Sequence, residues 1–206
     1  MGEADAYNES GHSSAIGLLG GSFDPVHRGH VSIARSFVQS AHIDRLWVLL
    51  TPDPPHKTDR TLTGFSDRFE MLKRAFQSFS DIEISPVENE LPRPTYTFQT
   101  IRHLKREYPH IRFYLCMGSD SLRSFYKWYR YERILEEVDL LVARRPGDEL
   151  STVAPGIINK THIVDHEPVE LSSTRIREAL QRGEHPSDSI PREVMDYIQE
   201  KKLYEK

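Results

Sequence analysis

Gly20-Gly21-Ser22-Phe23-Asp24-Pro25-Val26-His27-Arg28-Gly29-His30 lies between the apolar run Ala15-Ile16-Gly17-Leu18-Leu19 and a helical pattern. Strand, glycine turn, helix is the order in which an α/β protein builds a phosphate site. Glycine lets the backbone approach a ligand, and the helix start offers N–H groups and the positive end of its dipole. His27 and His30, three apart at that helix start, face one spot. Imidazoles there can donate hydrogen bonds to phosphate oxygens and stabilise charge as it develops. Paired histidines can also hold zinc. The chain has a single cysteine, Cys116, and carries no HExxH or CxxC pattern, so a protein-held metal is not expected. The spacing fits neither the Walker A loop nor the GxGxxG fingerprint.

Outward from this stretch, hydrophobic runs and helical patterns alternate. Strands are predicted near 15–20, 46–51, 81–85, 111–117, 138–143 and 161–164. Leu46-Trp47-Val48-Leu49-Leu50 and Phe113-Tyr114-Leu115-Cys116-Met117 are short, continuous and apolar, as strands buried on both faces must be. Helices are predicted over 29–40, 66–78, 96–107, 173–182 and 191–201. In the second, Phe69, Leu72, Phe76 and Phe79 recur at helical spacing and read as core. Gly183 fits a position just past a helix end, and Pro191 a first helical turn. The pattern predicts a single Rossmann-like α/β domain over 15–206: a doubly wound, mostly parallel sheet with helices on both faces. Residues 1–14 are small and polar and read as a disordered tail. The segments 52–64 and 144–160 read as irregular active-site loops.

The whole composition narrows the class. At 206 residues the chain is long enough for one sizeable core. A net charge of −4 and a pI of about 6.2 give no basic surface for nucleic acid. No apolar run reaches the roughly 20 residues needed to span a bilayer. The start, Met1-Gly2-Glu3-Ala4-Asp5, is unlike a signal peptide, so a cytoplasmic location is expected. One cysteine excludes an internal disulfide. A homo-oligomer is compatible with the sequence, which does not fix it.

Ligands of doubly wound sheets bind beyond the carboxyl ends of the strands. Ser22, Pro54-Pro55-His56-Lys57, Gly118-Ser119-Asp120, Arg144 and Arg145 each follow a predicted strand, and Ser172-Ser173-Thr174-Arg175 follow the last one after a short loop. The motifs therefore converge on one edge of the sheet.

In order, the segments are the run from Gly20 to His30, PPHK at 54–57, Arg68 with Met71-Leu72, Tyr96-Thr97, Met117-Gly118-Ser119-Asp120-Ser121-Leu122 with Trp128, Arg145-Pro146-Gly147, and Ser172-Ser173-Thr174-Arg175-Ile176-Arg177. The set resembles the nucleotidyltransferase superfamily bearing the HxGH motif. Within it, the set is similar to the bacterial nicotinate-nucleotide adenylyltransferase family.

That resemblance implies adenylyl transfer from ATP, carried with Mg²⁺, to nicotinate mononucleotide. The products would be deamido-NAD⁺ and pyrophosphate, formed by in-line attack without a covalent intermediate. It implies His27, His30, Lys57 and Arg175 as the residues that stabilise the transferred phosphate. Gly20, Gly21, Ser22, Phe23, Gly118, Asp120, Arg145, Ser172, Ser173 and Thr174 would join them around ATP, with Asp120 on the ribose. Ser22, Phe23, Asp53, Lys57, Tyr96, Thr97 and Trp128 would border the pyridine nucleotide, Trp128 stacking on its ring.

Plainer readings stand beside several of these. Ser172 to Thr174 can be ordinary helix caps. Lys57 can be a solvated loop lysine, Trp128 a structural tryptophan, and Arg177 a structural ion-pair partner. Cys116 reads as a core thiol. Asp53 departs from the family, many members of which carry an amide there. A carboxylate beside the nicotinate carboxylate is unfavourable, so nicotinamide mononucleotide is a second candidate acceptor. The HxGH motif is also compatible with a pantetheine-phosphate adenylyltransferase, a cytidylyltransferase, or a nucleotide-binding protein without catalysis.

Overall fold

A computed structural model describes residues 14–52, 62–145, 147–167 and 169–205. Six strands form one sheet: β1 (Ala15–Gly21), β2 (Arg45–Leu50), β3 (Ile82–Ser85), β4 (Arg112–Gly118), β5 (Asp139–Arg144) and β6 (Thr161–Asp165). Their order is β3-β2-β1-β4-β5-β6, and every pairing is parallel. All six predicted strands are present, and the sheet is parallel throughout rather than mostly so. The strand order reverses beside β1, between it and β4. That is where a doubly wound sheet opens a crevice.

Successive side chains on a strand face opposite ways, and both faces here are covered. Leu46, Val48, Leu50, Tyr114, Cys116, Leu141 and Ala143 pack on one side, with the buried residues of α1 (Arg28–Val38), α2 (Phe65–Phe76), α7 (Ser173–Gln181) and α8 (Arg192–Glu200). Ile16, Leu18, Trp47, Leu49, Phe113, Leu115, Leu140 and Val142 pack on the other. There they meet α3 (Thr97–Glu107), α4 (Ser119–Arg123), α5 (Tyr131–Glu137) and α6 (Pro155–Ile158). Two-sided burial is why these strands read as unbroken apolar runs. Leu72 and Phe76 are buried and Phe69 and Phe79 half-buried, as their spacing implied.

The five predicted helices are present within two residues at each end. Gly183 follows α7 with φ +77, whereas Pro191 caps α8 from just outside its first turn. The segment predicted as irregular over 144–160 contains α6, a single turn opened by Pro155. Ser14 is buried and its carbonyl accepts the N–H of Arg112 at 3.0 Å. The tail expected over 1–14 therefore ends before Ser14, and its other residues, 1–13, lie outside the described residues. No described helix is long and apolar enough to cross a membrane.

Candidate active site

The chain leaves β1 and turns sharply into α1. Phe23 adopts left-handed backbone, φ 44, and the Asp24–Pro25 peptide is cis. Left-handed backbone is uncommon for a residue with a side chain, so the turn must be held from outside. Arg68 of α2, only 2% exposed, donates from Nη1 to the carbonyls of Ser22 and Thr51, from Nη2 to Pro52 and from Nε to Thr63, at 2.8–2.9 Å. Ser173 Oγ donates to the Pro25 carbonyl at 3.0 Å, and Arg177 donates to that of Asp24. Tyr204 O–H donates to Asp24 Oδ1 at 2.7 Å. Burial, reinforced by this carboxylate, raises the Tyr204 phenol above its ordinary range. Gly21 is required by close approach: a Cβ there would sit 2.8 Å from the Phe23 ring.

His27 caps α1 and His30 lies in its first turn. The His27 backbone N–H donates to Nδ1 of His30 at 3.2 Å. Nδ1 must then carry a lone pair, which puts the proton of the neutral ring on Nε2 and makes that nitrogen a donor. The two rings stack at 3.7 Å between centroids, and Phe23 meets His30 edge-on at 5.0 Å. His27 is buried, and burial lowers its pKa to about 4. It is therefore neutral near pH 7. Its Nδ1 has no hydrogen-bond partner among the described residues. Gly29 makes room for this ring: a Cβ there would lie 3.1 Å from Cε1 and Nδ1 of His27.

Two compartments open at the carboxyl ends of β1 and β4, and both are lined by Gly118. The larger encloses about 370 Å³, with Gly20, Gly21, Ser22, Thr51, Glu88, Tyr96, Thr97, Thr100, Trp128 and Tyr129 in its wall. Trp128 leans on Phe125 at 5.4 Å, and Tyr96 pairs with the exposed Tyr129 at 4.6 Å. Glu88 is buried and accepts the Thr100 hydroxyl at 3.1 Å. Its burial raises the carboxyl pKa. The smaller compartment, about 140 Å³, is lined by His27, Gly29, His30, Asp120, Arg145 and His166, with Ile33, Ala143, Val169 and Leu171 as apolar wall. Asp120 pairs with Arg123, and with Arg145 at 3.5 Å. Ser119 donates to Asp148, whose carboxyl pKa is lowered chiefly by that bond.

The sequence-predicted residues thus separate. Gly20, Gly21, Ser22, Tyr96, Thr97 and Trp128 line the larger space; His27, His30, Asp120 and Arg145 line the smaller. Phe23 lines neither, because its ring is buried beneath Gly21. Ser172 to Arg175 also lie outside both linings, at the start of α7. A simple capping role fails for their side chains. Ser172 caps by position only, Ser173 reaches to Pro25, and Thr174 accepts from Arg177. Arg177 forms no ion pair with the described residues, contrary to expectation; it binds a backbone carbonyl instead. Arg175 is exposed and makes no hydrogen bond or ion pair with them. Asp53 and Lys57 lie outside the described residues. Cys116 is buried in β4, which raises its thiol pKa, and is core as expected.

Sequence reasoning missed Glu88, Tyr129 and His166. Glu88 falls in a single 3₁₀ turn (Val87–Asn89) that has no periodicity to reveal it. His166 was detectable, since it follows the end of β6 just as Ser22 follows β1.

A six-stranded parallel sheet with a phosphate-type turn and a two-compartment cleft at its switch point defines a Rossmann-like nucleotide-handling enzyme. Residues 18–179 match the cytidylyltransferase-like family model. The nicotinate-nucleotide adenylyltransferase of Bacillus subtilis is 36% identical, over 92% of this chain and 98% of that one. The Flavobacterium johnsoniae protein named "Probable nicotinate-nucleotide adenylyltransferase" is 38% identical, over 93% and 99%. The chain belongs to this nicotinate-nucleotide adenylyltransferase family of nucleotidyltransferases. A solved structure of Plasmodium falciparum nicotinic acid mononucleotide adenylyltransferase complexed with NaAD shares the fold. Its TM-score is 0.76 at 22% identity, covering 93% of this chain and 97% of that one.

Proposed function

We propose that the protein transfers the adenylyl group of ATP to nicotinate mononucleotide, giving deamido-NAD⁺ and pyrophosphate. The observation that carries this reading is the pair of compartments joined at Gly118, with the stacked histidines at one end and Trp128 at the other. We assign the adenosine triphosphate to the smaller, its phosphates beside His27 and His30, and the pyridine ribotide to the larger, beside Trp128. Reaction then occurs where the two meet.

The attacking group is a phosphate monoester, already ionised near neutral pH, so no strong general base is needed. The protein's work is to hold two anions in line and to stabilise charge that grows in the transition state. His30 donates from Nε2 to a phosphate oxygen, in the tautomer imposed by its bond to the His27 backbone. His27, neutral and buried, completes the pair. Arg175 and Lys57 supply positive charge, Asp120 takes ribose hydroxyls, and Trp128 offers a flat face to the pyridine ring. Among the described residues no three His, Cys, Asp or Glu side chains are placed to chelate an ion, and Asp120 is engaged by two arginines. Mg²⁺ would be carried on the ATP phosphates, where it would neutralise part of their charge. A cytoplasmic location accords with these soluble substrates.

The test is pyrophosphate release with ATP and Mg²⁺, nicotinate mononucleotide being compared with the nicotinamide form. Strong preference for the nicotinate form is expected. Preference for the amide would keep the mechanism and reassign the acceptor, with Asp53 as its sequence correlate. Release with neither overturns the proposal.

A further inference from the structure

We infer that His166 reads the base of the nucleotide in the smaller compartment, accepting a hydrogen bond from an exocyclic amino group and so selecting adenine over guanine. The inference rests on the proposed function, which puts a nucleoside triphosphate in that compartment.

His166 follows β6 and is anchored twice. Its backbone N–H donates to the Arg144 carbonyl at 3.1 Å. Its Nδ1 lies 3.0 Å from Ser36 Oγ on α1. Ser36 has one hydroxyl hydrogen, and the carbonyl of Ser32, one turn earlier, lies 3.3 Å away as its acceptor. With that hydrogen directed along the helix, the Ser36 oxygen accepts from Nδ1–H, and the neutral ring is left with a lone pair on Nε2. No described residue bonds Nε2.

Ser36 stands outside the compartment and His166 lines it, so the ring runs from α1 to the wall with its Nε2 edge inward. Burial, with the Arg145 cation nearby, lowers the His166 pKa and keeps Nε2 an acceptor near neutral pH. Around it, Ile33, Ala143, Val169 and Leu171 make an apolar slot suited to a flat base, while His27 and His30 mark the phosphate end. Adenine presents an N–H donor where guanine presents a carbonyl oxygen. A lone pair facing the first is satisfied; facing the second it repels.

The experiment measures kcat/KM for ATP, GTP and purine riboside triphosphate, which carries hydrogen in place of the amino group, with nicotinate mononucleotide as acceptor. The wild type should use the purine analogue about five- to tenfold less well than ATP, the effect of one neutral hydrogen bond. His166→Ala should use the two alike. Ser36→Ala, whose side chain never meets the ligand, should lower the ATP-to-GTP ratio, because the released ring can present Nε2–H to the guanine oxygen. A merely structural role for His166 would not move these ratios. Equal use of ATP and the analogue by the wild type overturns the inference, and needs no variant to fold. An unchanged ATP-to-GTP ratio in Ser36→Ala does the same. If the wild type releases no pyrophosphate, the proposed reaction falls by itself. The ATP and GTP dissociation constants from calorimetry then decide His166, equal values overturning it.

Discussion

Replacing Arg68 by methionine tests whether a buried guanidinium holds the active-site turn in place. The side chain is 2% exposed and donates to four carbonyls among the described residues, those of Ser22, Thr51, Pro52 and Thr63. Methionine has similar length and fills the space, so cavity formation is small and the lost donors dominate. Each buried acceptor left without its donor costs about 1–3 kcal/mol. Against this, the variant no longer desolvates a cation, which itself costs several kcal/mol. The net loss should be about 3–5 kcal/mol, the four unpaired carbonyls outweighing the relieved desolvation of the cation. With a urea dependence of about 2 kcal/mol per molar, the unfolding midpoint should fall by roughly 2 M. Arg68→Lys keeps the charge but replaces a planar fork with a point donor, and should recover less than half of the loss. A midpoint that moves by less than about 0.5 M in Arg68→Met would refute the reasoning.

Gly29→Ala should separate stability from activity. Alanine favours the helix by about 1 kcal/mol, and pressing its Cβ toward His27 offsets this, so the urea midpoint should barely move. The displaced imidazole should lower kcat by about 10- to 100-fold; an unchanged kcat would show that the ring position is immaterial. His27 also imposes a pH dependence on folding. The unfolded residue titrates near its ordinary 6.5 and the folded one near about 4, so between these values the unfolded chain binds more protons. Stability is therefore complete above about 6.5 and falls with pH through that window, by up to about 3 kcal/mol. Urea midpoints from pH 7 to 4.5 should slope less steeply in His27→Gln, and equal slopes would exclude His27 as the source. Tyr204→Phe removes one donor from the buried Asp24 carboxylate and should cost about 1–3 kcal/mol in the same assay. A variant as stable as the parent would mean that the bond contributes nothing net.

The strands and the main helices were legible because each rests on local periodicity. Phe113 to Met117 announces a strand buried on both faces wherever it is placed, and the pattern of Phe69, Leu72 and Phe76 announces α2. The site was legible in part, since HxGH and Tyr96-Thr97 sit at strand and helix ends that the pattern locates, whereas Trp128 follows a 3₁₀ turn (Phe125–Lys127) that it does not. What escaped depends on contacts distant in sequence. The role of Arg68 exists only once β1, β2 and α2 are assembled, because its acceptors are carbonyls that carry no side-chain signature. Glu88 enters the larger compartment through a single turn beyond the edge strand. The tautomers of His30 and His166 are set by a backbone N–H and by a serine on another element, and neither is encoded by the histidine itself.

The motif at 172–177 shows how residues that read as one device can be engaged differently in the fold. A serine-rich helix start with two arginines reads as a phosphate cradle, yet Ser173 Oγ donates to Pro25 and Arg177 to Asp24. One hydroxyl hydrogen cannot serve both a carbonyl and a phosphate. What α7 has left to offer a phosphate is its first backbone N–H groups, the hydroxyl hydrogens of Ser172 and Thr174 and the side chain of Arg175. Tyr204 adds a third tie from the chain's far end. The left-handed backbone at Phe23 is thus held by residues some 150 to 180 positions away. The HxGH turn is therefore tied both to Arg68 and to the carboxyl-terminal segment, and substitutions at Ser173, Arg177 or Tyr204 should disturb the histidines without touching any ligand.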